Sequence, residues 1–117
     1  MIWLAILLMA QADHEPLPPY PPDTVCAETT TRQLSECLQK QTTVWNERLN
    51  TEYAKALAHL DTAELPALRE AQRLWVKYRE ANCEMYAQHG GTVAELLWAG
   101  CLLEMTKQRA VELRNMD

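Results

Sequence analysis

The chain has 117 residues, 48% of them hydrophobic and 23% charged, and its 16 acidic side chains outnumber 11 basic ones for a formal net charge of −5. That length holds one domain, the apolar content excludes a disordered chain, and the acidic balance argues against sequence-independent binding to nucleic acid. Four cysteines without a Cys-x-x-Cys pair, beside only three histidines, suit two disulfides better than a zinc site.

Residues 1–12 form an uncharged apolar run that ends in Ala10-Gln11-Ala12, just before Asp13. Small residues spaced in this way after an apolar run mark a signal peptide, with cleavage expected after Ala12. The run lacks a basic n-region, and a buried N-terminal helix is the competing reading. Roughly 11 apolar residues fall short of the about 20 that span a bilayer, so no stable membrane insertion of the mature chain is expected. No cysteine follows the cleavage point, which gives no support for a lipid anchor. Export to the periplasm or the medium fits the cysteines, because disulfides persist in oxidising compartments.

Residues 13–25 are a proline-rich, acidic leader. Five of the six prolines fall in residues 16–22, and each ring fixes φ and removes a donor, so the segment is extended, as a polyproline II spacer or a PxxP-type recognition segment. Asp13, Glu15 and Asp23 stand there without a base, leaving only −2 of the net charge for the body.

Residues 26–117 read as helical throughout. Leu38, Thr42, Trp45, Leu49, Tyr53, Ala56 and Leu60 recur every three or four residues, which predicts a helix from Thr31 to His59. Asp61-Thr62-Ala63-Glu64 is a capping box that opens a second helix, with Pro66 tolerated near its first turn. Leu65, Leu68, Gln72, Trp75, Arg79, Cys83 and Tyr86 form its inner stripe, and it ends near Gly90-Gly91. Thr92-Val93-Ala94-Glu95 is a second capping box and predicts a third helix with Ala94, Trp98, Cys101, Leu102, Met105, Arg109 and Leu113 on one face. Gly100 within that helix costs about 1 kcal/mol against Ala, which suggests a close packing contact beside Cys101. No strand pattern competes, and the fold class is all-α: a small antiparallel three-helix bundle.

Four cysteines allow three connectivities. Folding antiparallel helices at Gly90-Gly91 brings Cys83 and Cys101 to nearly the same height, and elimination then pairs Cys26 with Cys37. Each bridge is worth about 3 kcal/mol for a loop of roughly 15 residues, which matters in so small a bundle. A redox couple is the rival, weakened by the absence of a Cys-x-x-Cys motif or an adjacent base. Arg79 and Arg109 fall mid-stripe and need partners if buried, with Glu52 or Glu104 as candidates. A satisfied internal network weighs against an arginine exposed in a binding groove, and Trp75 and Trp98 weigh as core against ligand platform.

Catalytic signatures are missing: no His-Glu-x-x-His, no Gly-x-Ser-x-Gly, no phosphate loop and no metal-spaced Cys-His cluster. Catalysis is therefore the least supported class, no cofactor is expected, and a binding module is favoured.

The run from Leu68 to Arg79, followed by Cys83, resembles the L-R-x-A-Q-R-x-W-x-x-[YF]-R-x-x-x-C signature of the LprI-like lysozyme inhibitor family. Cys26 and Cys37, Leu49-Asn50 with Tyr53, Gly90-Gly91-Thr92, and Cys101 with Met105-Thr106 and Arg109 match its other marks, over about residues 26 to 113. The resemblance implies a small exported helical domain held by disulfides that inhibits lysozyme. It marks Leu68, Arg69, Gln72, Arg73, Trp75, Tyr78, Arg79 and Arg109 as mainly structural residues with a binding role open to some. The implied partner is lysozyme, and another envelope protein is the alternative. Without a lipobox cysteine, membrane anchoring does not carry over.

Overall fold

The computed structural model describes residues 20–21, 25–27 and 30–116. The expected signal peptide, its cleavage residues Ala10 and Ala12, and most of the leader lie outside the described residues. Three helices follow in order: α1 (Thr31–His59), α2 (Glu64–Ala87) and α3 (Gly91–Arg114).

Local chemistry sets most of these boundaries. Thr30 Oγ1 accepts from the Gln33 N–H at 3.2 Å and caps α1. The Asp61 box forms as expected: Asp61 Oδ1 accepts from the Ala63 and Glu64 N–H groups, both at 2.9 Å, while Glu64 Oε2 accepts from the Asp61 N–H at 3.3 Å. Pro66 is the third residue of α2 and so lies in its first turn, where its missing N–H costs no intrahelical bond.

The expected box at Thr92 and Glu95 is corrected. Helix α3 starts at Gly91 with Gly90 as its N-cap, and no side chain caps it. Gly90 and Gly91 adopt φ of +75° and +74°, a left-handed pair open to glycine, and the sharp turn places Thr92 inside the helix rather than before it.

Connections of a few residues fold successive helices back on one another. Helix α3 packs against both α1 and α2, which touch each other only sparsely. The core joins Trp45, Leu49 and Ala56 of α1, Leu68 of α2, and Leu103, Ala110 and Leu113 of α3. Ala56, Ala99 and Ala110, with Ser35 and Thr106, have no solvent exposure; such small side chains let helices approach closely.

Two expectations about α3 change. Ala94, Arg109 and Leu113 are buried as expected, but so are Ala99, Leu103, Thr106 and Ala110, while Trp98, Cys101, Leu102 and Met105 are half-buried. A helix with neighbours on two sides has no single apolar stripe. Nor does Gly100 meet a close contact: a Cβ added there would find nothing within 4 Å.

Both disulfides form as the helix register requires, Cys26 with Cys37 and Cys83 with Cys101, at Cα separations of 6.0 and 5.5 Å. Met105 Sδ lies 3.8 Å from Cys83 Sγ and 4.0 Å from Cys101 Sγ. Half-cystines carry no S–H, so these are dispersion contacts that seat the bridge against α3. Among the described residues no helix is long and apolar enough to cross a membrane.

Candidate functional site

A polar seam runs through the middle of the bundle. Arg109 donates from Nε to Gln72 Oε1 at 2.9 Å and from Nη1 to Glu112 Oε2 at 2.6 Å. Arg79 donates from Nη1 to Asn46 Oδ1 at 3.1 Å and to Thr106 Oγ1 at 3.3 Å, linking all three helices. Trp75 presents its ring to both cations, with Arg79 Cζ 4.9 Å and Arg109 Cζ 6.0 Å from its centroid. Burial pushes the Arg79 pKa below its ordinary value, with the Glu80 charge opposing.

Arg109 meets a carboxylate, as expected of a buried arginine, but it is Glu112, and neither candidate, Glu52 or Glu104, pairs with a seam arginine among the described residues. Glu52 pairs with Arg48, one helical turn away, through Arg48 Nε at 2.6 Å, and the two side chains are 0% and 7% exposed. Glu104 stays on the surface and accepts from Gln108 Nε2 at 3.4 Å. Arg48 is therefore a second buried arginine beside Arg109, and a search for apolar stripes passes over it. Its i,i+4 spacing to an acid beside the buried Leu49 is the signal that could have found it.

Tyr20, from the leader, stacks on Trp45 with ring centroids 5.6 Å apart. Arg48 and Arg114 lie against its ring with Cζ at 4.9 and 4.5 Å. Lys107 Nζ stands 5.7 Å from the Trp45 centroid. At this point the leader is part of the body, fastened by an aromatic ring among cations.

The signature residues divide by direction. Leu68, Gln72 and Arg109 are buried, and Trp75 and Arg79 half-buried, so all five face the seam. Arg69, Arg73 and Tyr78 face solvent, with Tyr78 61% exposed. Arg73 grips Glu70 through Nε at 2.8 Å and Nη2 at 2.5 Å. The hydrogen bond from Arg73 holds the Glu70 carboxyl below its ordinary pKa, and the same bond raises that of Arg73. All four cysteines are consumed in disulfides.

The end of the α2–α3 hairpin carries an open depression of about 360 Å³, floored by Gly90, Gly91 and Ala94 and edged by Glu84, Glu95 and Trp98. Two carboxylates beside an indole suit a basic side chain, by charge and by the face of the ring. No group of three or more His, Cys, Asp or Glu among the described residues could hold a metal ion.

The family described as lysozyme inhibitor LprI matches residues 26–113, which is the stapled bundle from its first cysteine almost to the end of α3. An uncharacterized protein of Rhizobium meliloti is 39% identical over 67 residues, covering 53% of this chain and 48% of the relative. The uncharacterized protein YecT of Escherichia coli is 22% identical over 104 residues, covering 74% of this chain and 64% of the relative. The chain thus spans from about half to under two thirds of the length of these curated relatives. No solved structure matches.

Proposed function

We propose, since this chain belongs to the lysozyme inhibitor LprI family, that the protein binds a lysozyme and blocks it in the periplasm or outside the cell. The carrying observation is the family match over residues 26–113, which takes in both disulfides and the whole seam. Two disulfides suit an oxidising compartment. The role is that of a binder, in which the seam arginines hold the scaffold and the exposed surfaces meet the partner.

Glu84, Glu95 and Trp98 at the hairpin end are where a basic partner is received. Animal-type lysozymes are strongly basic, and charge complementarity of this kind raises the association rate more than it raises affinity. Asp13, Glu15 and Asp23 extend the negative field without touching the bundle's balance of charge. Neutralising these three acids slows association and flattens its salt dependence while leaving dissociation nearly unchanged.

The deciding experiment is a cell-wall clearing assay with an animal-type lysozyme and the purified protein. Protection of the wall is expected, and it weakens in Glu95→Lys, a change on an exposed position that leaves the core intact. Unchecked clearing at micromolar excess of the unaltered protein removes the inhibitory reading.

A further inference from the structure

We propose that the outer face of α2 is a self-complementary seam on which two copies of this chain pair in antiparallel fashion. Ala67, Ala71, Leu74, Tyr78, Ala81, Met85 and Gln88 follow one another in steps of four and three, the a/d spacing of a coiled-coil seam. Every one of them is exposed, Leu74 by 51%, Tyr78 by 61% and Met85 by 57%. Helix α2 already buries its other face, with Leu68, Gln72 and Cys83 turned to the core, so the fold does not account for this second stripe. One exposed leucine needs no explanation, but three large apolar side chains in heptad register along about 16 Å of helix do.

The pattern of sizes and charges selects the occupant. A twofold axis between positions 79 and 80 sets Leu74 opposite Met85 of the second copy and Tyr78 opposite Ala81, so that the largest ring meets the smallest side chain. The residues just before Ala71, Tyr78 and Met85 are Glu70, Lys77 and Glu84, all exposed. An antiparallel pair brings these like flanks together, which places Lys77 against Glu84 of the second copy and repeats the pair across the axis. A parallel pair would instead face this flank with Leu68, Trp75 and Asn82, none of them charged. Glu70 is occupied by Arg73 within its own chain, whereas Lys77 makes no ion pair among the described residues. With three alanines in the seam, the dimer is weak and its formation depends on concentration.

Sedimentation equilibrium of the purified protein from micromolar to millimolar concentration tests this, with a mass that rises toward twice the monomer expected. Tyr78→Glu weakens the dimer by about tenfold or more, as does Lys77→Glu, which sets like charges opposite one another. Adding Glu84→Lys to Lys77→Glu restores the ion pairs with reversed sign and recovers the dimer. Circular dichroism of each variant matches the unaltered protein, since every change is on an exposed position. A protein that stays monomeric throughout overturns the proposal, as does a dimer indifferent to Tyr78→Glu or a double variant no tighter than Lys77→Glu. A monomer that loses only its lysozyme complex on Tyr78→Glu also overturns it, and hands the stripe to that partner.

Discussion

Gln72 and Arg109 meet across the α2–α3 seam with both side chains buried, the guanidinium Nε donating to the amide oxygen at 2.9 Å. Neutral acceptors and an aromatic face hold Arg79, and Arg109 adds to them an ion pair with Glu112 at 2.6 Å. Removing the amide leaves a charged donor buried without its acceptor. Gln72→Ala therefore lowers stability by about 2–3 kcal/mol in urea denaturation. The double change Gln72→Leu with Arg109→Met costs less than the two single changes added together, because it removes both halves of one interaction.

Glu52 is the most deeply buried charge, with 0% exposure and Arg48 Nε at 2.6 Å. Glu52→Ala takes the buried carboxylate away from Arg48 and costs about 3–5 kcal/mol. Replacing both, with Arg48→Met and Glu52→Leu, recovers most of that loss, as midpoints of urea denaturation will report. A double variant as unstable as the single one would show that the charge of Arg48 is held mainly by other groups.

Gly100→Ala stabilises the protein. The added methyl meets nothing within 4 Å, and the helical backbone there is one that alanine prefers by about 1 kcal/mol. The thermal midpoint rises by about 4–8 °C for a domain of this size.

Tyr20→Ala removes a ring stacked on Trp45 and flanked by two guanidinium groups. The loss is about 1–2 kcal/mol, and tryptophan emission shifts to the red as Trp45 gains water. A leader that acted only as a spacer would give neither effect.

Glu70 titrates below the ordinary 4.5 because Arg73 stabilises its charged form. The pair contributes fully above that ordinary value and is lost as pH falls through the lowered one. Arg73→Gln returns the carboxyl toward 4.5 in an NMR titration. Because both groups are on the surface, overall stability barely changes.

Much of the bundle was legible in the spacing of apolar residues. The limits of α1 follow from its stripe and the Asp61 break, the Cys83–Cys101 pair follows from heights about the double glycine, and Cys26–Cys37 then follows by elimination. What escaped depends on neighbours that a linear pattern does not contain. The face of α3 is not legible because a helix flanked on two sides buries more than one stripe, Thr106 and Ala110 among the additions. The Arg48–Glu52 pair escaped because an apolar stripe gives no weight to charges that neutralise each other as they are buried. In the sequence Tyr20 belongs with the prolines around it, whereas its contact with Trp45 is created only when the chain folds back. Of the signature residues, the inward arginines are legible as network members, and Arg109 does meet a carboxylate in Glu112, but the pattern does not reveal the side-chain oxygens of Gln72 and Asn46 that complete the network.

Leu113 has no solvent exposure, and it comes from the last turn of the last helix. Both earlier helices rest on α3, and α1 and α2 together form almost no interface of their own. The α2–α3 hairpin can close locally, but α1 has nothing to bury itself against until α3 has been made. The order of synthesis therefore leaves α1 without its docking surface until α3 is available.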